Sequence, residues 1–486
     1  MLTYAPKYFT QRAIILYVIL LVLISLAFWR YALHWYWMLF GLVEVVGFFY
    51  FSNRLTREWQ GWSDAHFART LFTSALTIRL VYVLFSYWFY QFMLGSSFDF
   101  GAADALFYNE IGHYGASLLR EGNFHLYSEL QAYSGAGFSD LGYPIYLSVL
   151  NVLVGDSILM VRLLKAVWSA LTVLLVYRLA RRNFAETTAR MAAVFCMLMP
   201  NLIFYCGIHL KETEMVFLEM LFVERADYLM RQGRLIIGQT ILLVLVGMYL
   251  FMFRTVLAAV LFIAFFMALT LSSTRVVNWG RRILMAVLGL AFIGLMFSNR
   301  IEEEVRQVAE VDVVTQQQKN MQWRSTRGAK EGTNNRYIKY ASAAVFAPMI
   351  FTLPFPTMVE TPSQENQKMI HGGNYVKNIT SFFTIVALFL LILPYNWRRN
   401  LLEGEWRRHI LPVAVLGGYL VVLVFSSFAH SERFHLPSLP LAMMFAAYGI
   451  ERFRPEWKRW YWLWLGIIFA ANIAWAYFKL GGRSML

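Results

Sequence analysis

The sequence predicts an all-α protein that crosses a membrane many times, and three observations predict it. Of its 486 residues, 59% are hydrophobic and 15% charged, with a mean hydropathy of +0.50; soluble domains carry about a quarter charged residues. The apolar residues fall in runs of about 20, the length that crosses a bilayer as a helix. Lys and Arg gather in alternate gaps between those runs, as cytoplasmic loops do. The short regular alternation of an outer-membrane barrel is missing.

Taken in order, the runs place spans near 13–29, 35–52, 71–94, 157–179, 187–206, 213–230, 235–251, 255–272, 282–298, 380–395, 410–427, 436–450 and 460–478, about thirteen in all. The first run reads as an uncleaved span, because Arg30, Tyr31, His34 and Trp35 follow it instead of a small-residue cleavage site. With Lys7 and Arg12 inside, alternate loops carry Arg54, Arg57 and Arg69, then Arg178, Arg181, Arg182 and Arg190, then Arg231 and Arg234, and so on to Arg452 and Lys458. The opposite short loops hold little beyond Arg30, Lys211, Arg254 and Arg433. This orientation puts Asp104, Asp140, Glu212 and the stretch 299–378 on the outer face. The net charge of +14 is therefore topological, and nucleic acid is not an expected partner. Cys196 and Cys206 fall in or beside an apolar run and read as packing residues, with no disulfide framework or metal quartet.

The whole chain, 1–486, reads as one integral membrane domain with two large outer loops. In the first, 96–156, Leu106, Ile111 and Leu118 mark a helix from Asp104 to Leu119. Asp140 precedes Tyr143-Pro144-Ile145-Tyr146-Leu147, which reads as the capped start of a helix lying on the membrane. The second, 299–378, opens on charged and polar text and ends with an apolar stretch broken by Pro348, Pro354 and Pro356, which suits a re-entrant or interfacial segment. Asn378-Ile379-Thr380 fits a glycosylation sequon by chance, since it abuts a span. No internal repeat of the kind transporters show is visible.

Acidic groups beside membrane spans are costly to place and mark candidate sites. Three outer-face features stand out: Asp104 with Tyr108, Glu110 and His113; Glu212 in "FYCGIHLKETEMVF"; and the span-end cations Lys211, Arg254 and Arg433 with His430 and His435. A transferase acting on a lipid-phosphate sugar needs a carboxylate to take a proton from the acceptor and cations to take over the charge of the departing phosphate. Each residue also has a plainer reading. Asp104 and Asp140 suit helix caps, Glu212 could pair with Lys211, and Arg254 could snorkel to the surface. The two histidines could meet water or a backbone carbonyl.

The text "TIRLVYVLF", "ADALFYNEIGHYG", "GYPIYLSVLNVLVGDSILMVRLLKAVWSALTVLLVYRLARRNF" and "MLMPNLIFYCGIHLKE", over residues 77–230, with "ERFHLPSLPLAMMFAAYGIERF" later, resembles the bacterial protein O-mannosyltransferase and lipid A aminoarabinose transferase families. These are family-39-like glycosyltransferases of the GT-C fold. The resemblance implies membrane-surface helices in the first outer loop and transfer of a sugar, with inversion, from a polyprenyl phosphate. The acceptor would be an envelope lipid, glycan or protein on the periplasmic face of a bacterial inner membrane. It implies Asp104 and Glu212 as catalytic carboxylates. Tyr108, His113, Asp140, Lys211, Arg254, Arg433 and His435 would be substrate contacts, with Arg254 and Lys211 on the phosphate. Metal dependence varies in the superfamily. No ligand cluster identifies a cofactor, and a divalent metal stays compatible. One departure weakens a claim of mannose or of a protein acceptor: the families' first-loop Asp-Glu pair is Asp104-Ala105 here. A polysaccharide polymerase or ligase using polyprenyl-diphosphate donors would rest instead on Arg433, His435 and the 299–378 loop. A transporter or flippase would need ionisable groups midway through spans, for which Arg79, Glu219 and Glu224 are the candidates.

Overall fold

Helix ends in this chain are set by residues that stop or start the backbone ladder. The computed structural model describes residues 2–271 except 136 and 233–235, residues 289 and 294, and residues 347–481 except 363, 393–407 and 426–429. The first three spanning helices are α1 (Lys7–Ala27), α2 (Trp35–Glu58) and α3 (Asp64–Leu94). Ser63 caps α3 by accepting from the His66 N–H at 3.4 Å. Gly95 ends α3 in the left-handed region, at φ +65°, where a side chain would be strained. The first outer segment then folds as α4 (Ala103–Arg120), α5 (Leu126–Ser134) and α6 (Gly142–Val154), followed by α7 (Ile158–Asn183).

The run read as one span at 187–206 is broken. Pro200 has no N–H to continue the ladder, so α8 (Glu186–Leu198) stops, and α9 (Pro200–Phe204) leaves with the chain bent by 51°. The break frees carbonyls inside the bundle, and Arg79 of α3 collects them. Its guanidinium donates to Cys196 O at 3.2 Å, Met197 O at 3.1 Å and Ala75 O at 3.2 Å, and to Ser169 Oγ at 2.6 Å. Arg79 is thus a structural clamp.

Next come α10 (Glu212–Gln232), α11 (Ile237–Phe253) and α12 (Thr255–Leu271), then α13 (His371–Ile392), α14 (Ile410–Phe425), α15 (Leu439–Glu451) and α16 (Lys458–Gly481). Among the described residues six helices are long and apolar enough to cross a membrane alone, or seven counting the bent pair. Among the described residues the expected count of about thirteen spans is not confirmed, because α11, α12 and α14 are only 16 or 17 residues long. In addition, α10 carries Glu219, Glu224, Arg225 and Asp227. The span expected at 282–298 lies outside the described residues but for 289 and 294. No strand forms among the described residues; Ala32 and Val359 make an isolated bridge.

α13 begins at His371, so residues 371–378, read as the end of the second outer loop, are helical and buried. Its start is held from within the bundle: Glu44 of α2 accepts from the Gly373 N–H at 2.9 Å, a carboxylate at the positive end of a helix. A Cβ on Gly372 would lie 2.7 Å from Gly41 O, so the glycine pair lets α2 and α13 cross closely. The proline-broken stretch before α13 is buried at Ile350 and from Thr352 to Val359, with Phe351 half-buried. Lys377 donates to the carbonyls of Ile350 (3.1 Å), Phe351 (3.4 Å) and Leu353, and Asn378 to that of Pro354 (3.1 Å). Irregular backbone at such a place is sustained by protein partners. Asn378, wholly buried in this role, is no glycosylation acceptor. Residues 299–346 of the second outer loop lie outside the described residues. Both cysteines are free and buried, as expected of packing residues.

The two ends of the bundle differ in charge chemistry. At one end Arg182 pairs with Glu224 (2.8 Å) and Asp227 (2.7 Å), and Arg190 with Asp64 (3.0 Å) and Glu186 (2.8 Å). Glu224 therefore belongs to a span-end network and not to a mid-span path. The opposite end holds the α4–α6 helices, the α9–α10 turn, the α11–α12 turn and the segment before α15. Outward-facing side chains such as Leu26, Val43, Trp88 and Leu245 are exposed along the spans, as a lipid-facing surface requires.

Candidate active site

Asp104 lies in the first turn of α4, where a capping role was the plain alternative. It does not cap: the N-cap position is Ala102, with no side-chain cap bond. Its carboxylate instead accepts from Arg433 Nη1, and Arg433 Nε donates to Glu212 Oε1. One guanidinium therefore joins two carboxylates that lie more than a hundred residues apart in sequence, and its fork of donors suits that task. Arg433 sits on the short helix Glu432–His435, held by two further contacts. Tyr419 of α14 donates to Phe434 O at 2.9 Å, and Arg254 lies over the Phe434 ring at 4.4 Å.

Arg254 leaves the end of α11 and meets Glu212 Oε1 at 3.9 Å and the Tyr419 hydroxyl at 3.3 Å. It does not simply snorkel. Lys211 does not pair with its neighbour Glu212 but reaches Asp140 Oδ1 at 2.5 Å, Phe253 O at 2.7 Å and Ser139 O at 3.1 Å. Tyr108 donates to the same Asp140 oxygen at 3.3 Å. Asp140 thus anchors Lys211, and α6 starts at Gly142 without a side-chain cap.

Exposure separates the carboxylates. The Asp104 side chain is 58% exposed and that of Glu212 is fully buried, with Arg433 at 20%. Asp104 can meet an incoming acceptor, whereas Glu212 can act only through the arginines it holds. Burial by itself would raise the Glu212 and Asp140 carboxyls. Arg433 and Arg254 outweigh it at Glu212, as Lys211 does at Asp140, and both end below the usual carboxylate range. Burial also raises the Tyr108 hydroxyl, with Asp140 beside it adding to the shift, so Tyr108 remains a neutral donor.

Depressed folded values mean that both carboxylates stabilise the fold at pH above about 4, and that this contribution is lost as pH falls through the depressed values. The melting temperature of the purified protein is therefore expected to drop on acidification below about pH 4, less steeply in Glu212→Gln. Equal slopes in the two proteins would show that Glu212 contributes nothing.

Not every expected residue joins the cluster. His113 lies more than two turns along α4 from Asp104 and faces Asp156 at 3.2 Å, so it serves the far end of the outer segment. His435 is buried two residues past Arg433, with its carbonyl accepting from Ser438 at 2.7 Å. His430 is held neutral, its ring pushed down to about 4 by burial and by Lys479. Among the described residues no group of three or more His, Cys, Asp or Glu side chains is placed to hold a metal ion.

Sequence reasoning missed a second set of polar groups beside the first. Arg162 and Lys165, one turn apart in α7, are fully buried, and Lys165 pairs with Glu214 at 3.4 Å. Two cations within an apolar run were a legible signal.

Residues 370–480 match the model of the Alg9-like mannosyltransferase family. The matched part is under a quarter of the chain and includes α13–α16 and Arg433. No curated protein matches the chain. The family match makes the chain a glycosyltransferase, and its apolar helices make it a multi-pass membrane protein. It supports glycosyltransferases at large and not the protein O-mannosyltransferase or aminoarabinose transferase families that residues 77–230 resemble.

Proposed function

We propose that this glycosyltransferase moves a sugar from a polyprenyl monophosphate to an envelope acceptor at the membrane end that carries Asp104, the periplasmic face of a bacterial inner membrane. The observation that carries the reading is Arg433 bridging an exposed and a buried carboxylate, with Arg254 on the same buried oxygen. Asp104 takes the proton of an acceptor hydroxyl or amine, whose atom attacks the anomeric carbon. The anomeric carbon–oxygen bond to phosphate breaks on the opposite face, giving inversion. Charge gathers on the departing phosphate, and Arg433 and Arg254 stabilise it there. Glu212 positions both guanidiniums, and the Asp140–Lys211–Tyr108 group fixes the α6 side of the site.

Two observations favour this over a transporter: the glycosyltransferase family match, and the engagement in structural contacts of Arg79 and Glu224, two of the three mid-span candidates, the third, Glu219, being buried in α10. The polymerase or ligase alternative shares Arg433, and the leaving group separates the two. Purified protein given a polyprenyl-phosphate sugar and membrane extract as acceptor should release polyprenyl phosphate. Asp104→Asn should reduce that release about a hundredfold or more with an unchanged melting profile. Undiminished release, or turnover of polyprenyl-diphosphate sugars alone, would overturn the assignment.

A further inference from the structure

Next to the charged cluster lies a group of buried polar atoms that the protein leaves unanswered. Arg162 donates through Nη2 to Ser97 O at 2.6 Å, but its Nε and Nη1 have no hydrogen-bond partner within the described protein. Neither do both ring nitrogens of His209, the Tyr143 hydroxyl, Asp99 Oδ1 and Asn366 Oδ1. All but Asn366 are nine-tenths or more buried. Native proteins leave few such atoms unpaired, because each costs about 1–3 kcal/mol.

These groups are contiguous. Asn366 donates to Asp99 Oδ2 at 2.9 Å and to Phe100 O at 2.7 Å. The His209 ring is 5.9 Å from that of Phe98 and 6.0 Å from that of Tyr143, and Arg162 lies 6.0 Å from the Tyr90 ring. The set adjoins the charged cluster twice. Tyr143 packs edge-on against Tyr108 at 5.4 Å. The single turn 209–214 sends Lys211 and Glu212 to the charged cluster, and His209 and Glu214 to this one.

The mixture of atoms selects the ligand. Donors alone would suit a phosphate, but Asp99 Oδ1 and Asn366 Oδ1 are acceptors and would repel one. Burial, with Lys165 and Arg162 nearby, holds His209 well below its usual range, so its ring offers one donor and one acceptor. Lys165 and Glu214 balance each other at 3.4 Å. A mixture of donors and acceptors among aromatic rings answers hydroxyl groups, each of which gives one hydrogen bond and takes others. We infer that Asp99, Tyr143, Arg162, His209 and Asn366 form the subsite that grips the hydroxyls of the donor sugar, next to the cations that take its phosphate. This inference rests on the proposed transferase reading and assigns the sugar-selecting residues within it.

The test exploits the unpartnered hydroxyl. Because Tyr143 Oη has no hydrogen-bond partner among the described residues, Tyr143→Phe should leave the ligand-free melting temperature unchanged or higher. Full-length protein in nanodiscs is titrated with bare polyprenyl phosphate and with polyprenyl-phosphate mannose, glucose, N-acetylglucosamine and aminoarabinose. At least one sugar lipid should bind more tightly than the bare phosphate. Tyr143→Phe and His209→Gln should each weaken that binding about three- to tenfold and leave affinity for bare polyprenyl phosphate unaltered. Arg433→Gln should weaken both. The subsite is overturned if no sugar lipid outbinds the bare phosphate, if the two variants weaken both lipids equally, or if they weaken neither. Loss of transfer in Asp104→Asn alongside any of these would leave the transferase reading standing without the subsite. Undiminished transfer in Asp104→Asn would remove the transferase reading itself.

Discussion

Arg433→Gln is expected to lower sugar transfer on the order of 10³-fold, the largest loss of any substitution considered. Two effects combine. On the proposed mechanism the departing phosphate would lose a cation, and Glu212, wholly buried, would keep Arg254 at 3.9 Å as its ion-pair partner among the described residues. Removing one partner of a buried ion pair costs about 3–5 kcal/mol, so the variant should also melt lower. The double variant Arg433→Gln with Glu212→Gln separates the two effects, because a neutral amide leaves no charge stranded. Its melting temperature should recover most of the loss while transfer stays low. If activity returned with stability, Arg433 would be a fold residue and not a phosphate contact. Arg433→Lys should rescue poorly, since one ammonium cannot span both carboxylates as Nε and Nη1 do.

Arg79→Leu should carry the largest cost to stability at the core. The substitution removes the guanidinium donors to the carbonyls of Cys196 and Met197 at the break and leaves those two carbonyls without them in an apolar interior. At about 1–3 kcal/mol for each orphaned carbonyl, the loss is roughly 2–6 kcal/mol. Unfolding followed by heat in detergent measures it. Labelling of the Cys196 thiol, buried in the native protein, should quicken in the variant. A melting temperature within a degree of the native value would show that the bend at Pro200 holds itself without the clamp.

The helical membrane class was legible because lipid admits few alternatives. An apolar run of about 20 residues has to satisfy its backbone internally, and a helix does so. The helices α1, α2, α3 and α7 lie close to where hydropathy put them. Less legible were the ends. Glu44 caps α13 from another helix, and no local pattern in "HGGNYVKN" reveals a partner more than three hundred residues away. The break at Pro200 had a local signal in the proline, which the apolar composition around it masked.

The candidate site divides along the same line. Asp104, Glu212, Arg254 and Arg433 could be named from the sequence because charge at span ends is costly, and costly placements mark function. The same logic misplaced His113, since residues sharing one helix need not share one face. It also passed over Arg162 and His209, whose significance lies in bonds they do not make. The chain by itself determined the membrane class, the charge asymmetry of the loops and the inventory of ionisable groups, because these depend on composition and local spacing. Only the tertiary structure decided that Arg433 joins Asp104 to Glu212, that Lys211 belongs to Asp140, and that one buried set is left with unanswered polar atoms. Those facts depend on directions and separations between helices, and these are settled by packing.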